Sequence, residues 1–93
     1  MEIKLDFIID TLQNKTGLDI RKRTQVREYF LTRAIYYKLA KEYTFHSLSK
    51  IGAEVGKDHA TVLHGIKKFD LEMKKYYPEL YDLYENFRLR YPV

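Results

Sequence analysis

The sequence predicts an all-α bundle of about five to six helices, and three observations carry that prediction. Apolar residues recur three and four positions apart through most of the chain, the spacing that lines one face of a helix. Proline occurs only at Pro78 and Pro92, and the glycines, Gly17, Gly52, Gly56 and Gly65, gather mostly in the centre. No long β-branched alternation of the kind a half-buried strand needs is present.

The elements follow in order. In residues 3–13, Leu5, Ile8, Ile9 and Leu12 form a helical stripe that Thr16 and Gly17 should end. Residues 18–24 carry Arg21, Lys22 and Arg23 and read as a basic connector. Residues 26–43 make the longest periodic segment, with Tyr29, Phe30, Arg33, Ile35, Tyr36, Leu39 and Ala40 on adjoining turns of a core-facing helix. Ser47 can cap a short helix over 48–55, whose apolar edge is Leu48, Ile51 and Val55, and Gly56 can stop it in a left-handed conformation. Asp58 is a strong cap for a helix over 58–69, with Val62, Leu63, Ile66 and Phe69 inward. Pro78 can open a last helix carrying Leu80, Leu83, Tyr84 and Phe87.

Composition narrows the class. Ninety-three residues suit one domain, here 1–93, and 45% hydrophobic with 15% aromatic residues argues against disorder. Without cysteine there is neither a disulfide framework nor a thiolate metal site. No apolar run nears the roughly 20 residues that span a bilayer, and the N-terminus lacks a signal-peptide layout. The expectation is a cytoplasmic, nucleoid-associated protein with no membrane partner. Charge is uneven: residues 15–68 hold twelve Lys and Arg against five Asp and Glu, whereas the remainder is mildly acidic. A basic centre suggests one face that meets a polyanion.

Helix, tight glycine-containing turn and helix over 47–69 is the spacing of a helix-turn-helix unit. The second helix opens with Asp58, His59, Ala60 and Thr61, so no large apolar group there needs burial. Such an end can meet the major groove. Asp58 can accept from a cytosine or adenine amino group, His59 can donate to or accept from a base edge, and the Ala60 methyl can pack on a thymine methyl. Thr61 and Lys57 suit phosphates at a helix N-terminus. The plainer alternatives are a cap for Asp58, a solvated surface residue for His59 and a partly buried satisfied residue for His64. His46, His59 and His64 lack metal-ligand spacing, so no metal and no cofactor is expected. Asp58 and His59 are adjacent and would point apart on a helix, a poor catalytic relay, so an enzyme is not expected.

The run Lys57-Asp58-His59-Ala60-Thr61-Val62-Leu63-His64-Gly65-Ile66-Lys67-Lys68 resembles the signature of the C-terminal DNA-binding domain, domain IV, of the bacterial replication initiator DnaA. The likeness reaches upstream through Lys41–Gly52 and back through Arg27–Tyr37, about 75 residues in all. It implies an all-helical bundle with a Trp-repressor-like helix-turn-helix and one extra long helix. It also implies base readout by Asp58, His59 and Ala60, and phosphate contacts by Arg33, Lys41, Leu48, Ser49 and Thr61, beside Lys57. Ala60 stands where the family usually has threonine, Ser49 where proline is common, and Gly56 alone where two glycines are usual. The family's minor-groove arginine aligns with Gln25, so one of its flanking residues, Arg23 or Arg27, is expected to take over that task.

The resulting expectation is sequence-specific binding of double-stranded DNA, in replication initiation or its regulation. The sequence contains no GxxxxGK[ST] phosphate loop for ATP. The chain reads as a small stand-alone protein of a kind a phage or mobile element could encode, with an excised domain as the alternative. A Trp-repressor-like transcriptional repressor and a module binding a replication protein are the alternatives. A monomer is expected, with a homodimer through the aromatic last helix as the other option.

Overall fold

Helix α1, Leu5–Thr16, turns Leu5, Ile8, Ile9 and Leu12 inward, the stripe its spacing predicts. The computed structural model describes residues 2–92. A connector whose Ile20 is fully buried leads to α2, Arg27–Tyr43. From Leu31 to Tyr37, and again at Leu39 and Ala40, α2 is buried on every side. A helix apolar all round belongs at the centre of a bundle, and the remaining helices pack about it. Two of its buried hydroxyls are satisfied by backbone carbonyls. The Thr32 hydroxyl donates to the Glu28 carbonyl at 2.7 Å, and the Tyr36 hydroxyl donates to the Ile51 carbonyl at 2.7 Å.

Helix α3, Leu48–Ala53, and helix α4, His59–Lys68, form the tight pair expected from the sequence. Helix α4 does not stop at Phe69. It runs on through a π-helical segment, Phe69–Met73, into α5, Lys74–Tyr76. Nothing between Phe69 and Pro78 breaks a helix, and burial of Phe69 and Met73 holds the segment in. Ion pairs Lys38–Asp70 at 2.8 Å and Lys68–Glu72 at 3.1 Å flank it. Helix α6, Pro78–Arg90, opens on proline at its first turn, as expected. Its aromatic residues face the core: Tyr84 and Phe87 are buried, and the Phe69 and Tyr84 rings meet near edge-on at 4.7 Å. The Tyr84 hydroxyl donates to Glu42 at 2.6 Å, fixing α6 to the end of α2.

The described residues are helical with no strand, a helix-turn-helix bundle. No helix among them is long and apolar enough to cross a membrane. Two expectations on α4 are corrected. Leu63 points outward and is 44% exposed, and His64 is exposed rather than partly buried. Val62, Gly65, Ile66 and Phe69 fill the inward face, so Leu63 and His64 fall on the arc beyond it.

Candidate nucleic-acid interface

The pair α3 and α4 is set by local chemistry. Ser47 caps α3, its hydroxyl accepting from the Lys50 backbone N–H at 3.1 Å. The other end closes with two backbone bonds, Lys57 N–H to the Gly52 carbonyl at 2.9 Å and Gly56 N–H to the Ala53 carbonyl at 3.2 Å. That is the Schellman arrangement, which needs a left-handed residue, and Gly56 supplies it with φ of 70°. The helix ends at Ala53, two residues before the expected boundary, because this closure draws Glu54, Val55 and Gly56 into the turn.

Asp58 then caps α4. Its carboxylate accepts from the Thr61 backbone N–H at 2.8 Å. That bond, followed by one with the Thr61 side chain, holds the Asp58 carboxyl below its ordinary value, so it is ionised at neutral pH. Asp58, His59 and Ala60 are all exposed, side by side on the first turn. Lys57 and Thr61 beside them are half-buried.

A cleft of about 540 Å³ opens next to that turn. Thr24, Gln25 and Arg27 line it from the connector and the start of α2, and Lys57, Thr61 and Lys68 line it from the turn and α4. The structure thus brings Gln25, Arg27, Lys57 and Thr61 together, although up to 36 positions separate them in the chain. Arg27 leans on Tyr77, donating to its hydroxyl, with the guanidinium 5.1 Å from the ring centre. Arg23 is exposed and makes no side-chain hydrogen bond or ion pair among the described residues. Tyr37 forms the floor of the cleft. Burial pushes its hydroxyl up to about 12, and that hydroxyl has no hydrogen-bond partner among the described residues.

The other expected residues lie elsewhere. Lys41 and Ser49 are exposed, and Lys41 borders a second hollow with Phe45, His46 and Arg90. Leu48 is half-buried against the core. Arg33 calls for a correction. It is 3% exposed, and its guanidinium donates to the carbonyls of Ile20 at 2.9 Å, Thr24 at 3.1 Å and Lys22. A group used up in this way cannot also sit on a phosphate. Sequence reasoning placed Arg33 on the core-facing side of its helix, which was the signal available. Arg21 is likewise engaged, bridging to Asp6 at 3.3 Å and Asp10 at 3.6 Å on α1.

Fold and site together define a helix-turn-helix domain whose second helix presents a polar, capped N-terminus. The family model of the bacterial DnaA protein helix-turn-helix matches residues 6–69. The chromosomal replication initiator protein DnaA of Limosilactobacillus reuteri (strain DSM 20016) is 46% identical over 63 residues, covering 67% of this chain and 14% of that protein. Its counterpart from Thermoanaerobacter sp. (strain X514) is 44% identical over 57 residues, 61% of this chain and 13% of that protein. The one from Flavobacterium psychrophilum is 36% identical over 73 residues, 74% of this chain and 15% of that protein. The chain belongs to the bacterial DnaA helix-turn-helix family. It spans about one seventh of the length of the curated relatives it matches. No solved structure matches it.

Proposed function

We propose that this chain binds double-stranded DNA in a sequence-specific way and serves replication initiation or its regulation, as the names of its relatives suggest. The observation that carries the reading is the exposed trio Asp58, His59 and Ala60 at the capped start of α4, with the cationic cleft immediately beside it. Helix α4 enters the major groove by that end. The ionised Asp58 accepts from a base amino group, His59 bonds to a base edge, and Ala60 packs on a thymine methyl.

Duplex geometry gives the cleft its task. Adjacent major and minor grooves are separated by a single sugar–phosphate backbone. A protein with a helix in one groove and a loop in the next must straddle that backbone, as homeodomains do with helix and arm. Here the strand crosses between Gln25 and Arg27 on one side and Lys57 and Thr61 on the other. Arg23, beside Gln25, extends into the minor groove, where A·T stretches are narrow and attract arginine. Lys41 and Ser49 hold the neighbouring phosphates, with Leu48 at the backbone beside them. One domain covering the chain and a monomer on its site are the simplest arrangement.

Selection from random duplexes tests this reading. It predicts a recurring motif in which a short A·T-rich stretch adjoins a segment read in the major groove. Recovery of no common sequence, with binding that collapses on adding salt, would leave only phosphate attraction and refute it.

A further inference from the structure

We propose that Arg33 is a positioning residue: a buried clip that shapes the connector over residues 18–26 and thereby presents Arg23 and Gln25 to the minor groove. The inference rests on the DNA-binding reading above and adds a residue that touches no DNA.

Three features support it. First, the guanidinium donates to the carbonyls of Ile20, Lys22 and Thr24, every second residue along the connector. A turn over Ile20 and Arg21, closed by Lys22 N–H on the Asp19 carbonyl, and the irregular stretch after it bring these three carbonyls within reach of one planar fork. Second, beyond the tie of the exposed Arg21 side chain to Asp6 and Asp10 on α1, the connector has little else to define it. Its internal bonds are Lys22 N–H to the Asp19 carbonyl, Arg21 N–H to the Asp19 carboxylate and Val26 N–H to the Thr24 hydroxyl. Ile20 is its one fully buried side chain. Third, Arg33 pairs with no acidic residue among the described ones. A buried charge is costly unless its hydrogen bonds are met, and here the connector meets them. Connector and guanidinium therefore hold each other in place. The Tyr29 ring, 5.9 Å from the guanidinium carbon, adds a cation–π contact.

The clip bears on DNA reading because its last carbonyl belongs to Thr24, which lines the cleft with Gln25 and Arg27. Releasing it frees the rim over which the DNA strand would pass. Lysine cannot replace it, since an ammonium is a point charge without the planar fork.

The first arm of the test uses the unaltered chain. In nitrogen-15 NMR spectra, the Arg33 Nε–H and Nη–H signals should be resolved and slowly exchanging without DNA, and should stay in place when duplex is added. Signals that are averaged in the free chain and become fixed only on duplex would mean a direct phosphate contact, and would overturn the proposal. The second arm compares the chain with Arg33→Lys. Amide exchange over residues 19–26 should quicken by roughly tenfold or more, the loss of about one hydrogen bond, while α4 amides keep their protection. Equal exchange in both proteins would overturn the proposal. Netropsin, which fills A·T minor grooves, should weaken DNA binding by the unaltered chain and leave the already weaker Arg33→Lys binding unchanged. Equal sensitivity would show the connector still seated and count against the clip. Should netropsin leave the unaltered chain unaffected, the minor-groove part of the proposed function fails, while the NMR and exchange arms still decide on the clip.

Discussion

Replacing Gly65 by alanine sets two known effects against each other where α2 and α4 cross. Alanine is the better helix former by about 1 kcal/mol, which would stabilise α4. A Cβ at Gly65, however, would lie 2.5 Å from Cδ2 and 2.9 Å from Cε2 of Tyr37, and 3.7 Å from the Ala34 Cα. The Tyr37 ring is 2% exposed and packs against Tyr36 at 5.6 Å between ring centres. To relieve the contact, either the ring leaves its rotamer towards the cleft or α4 moves away from α2. Overpacking of this kind costs about 1–3 kcal/mol, which outweighs the propensity gain. We therefore expect Gly65→Ala to lose about 1 kcal/mol net and to melt about 4–8 °C lower. Urea unfolding followed by circular dichroism should show a lower midpoint with an unchanged slope. A variant as stable as the parent, or more stable, would refute the claim that the α2–α4 crossing is packed to contact at this position.

Further outcomes follow from the same geometry. Tyr36→Phe removes the bond to the Ile51 carbonyl, leaves that buried carbonyl unpaired, and should cost about 1–2 kcal/mol in urea unfolding. Asp58 titrates below its ordinary 3.8, so the stability its ionised cap contributes is complete above that pH. That contribution is lost only as pH falls through the lower folded value, and the Thr61 amide proton shift should follow the same midpoint. His59→Ala should cost about 1–3 kcal/mol on a selected site and far less on random duplex. Equal losses on both would remove His59 from base readout.

Much of this architecture is legible in the sequence because it depends on local signals. Leu5, Ile8, Ile9 and Leu12 repeat at helical spacing, Ser47, Gly56 and Asp58 mark ends through bonds made within a few residues, and Pro78 marks one through its fixed φ. The exposed Asp58, His59 and Ala60 could be singled out for the same reason. What escaped depends on contacts distant in sequence or on small differences in helix phase. Arg33 reads as a phosphate ligand until its three carbonyl partners are seen, and backbone carbonyls carry no side-chain signature. Leu63 is as apolar as Val62, but the position of α2 decides which of them is covered. The helix beyond Phe69 lacked a strong stripe, because Met73 and the ion pairs of Lys38 and Lys68 hold it there. The cleft joins Gln25 and Arg27 to Lys57 and Thr61, a meeting that only the packed bundle reveals.

The most direct test of the central claim is fluorescence anisotropy of this chain on a duplex carrying the replication-origin box expected from its resemblance to DnaA, against a shuffled duplex of equal composition, each at two salt concentrations. We predict tighter binding to the box at both salts, with the preference for it retained as salt rises. Equal affinity for the two duplexes, falling together with salt, would contradict box recognition by α4.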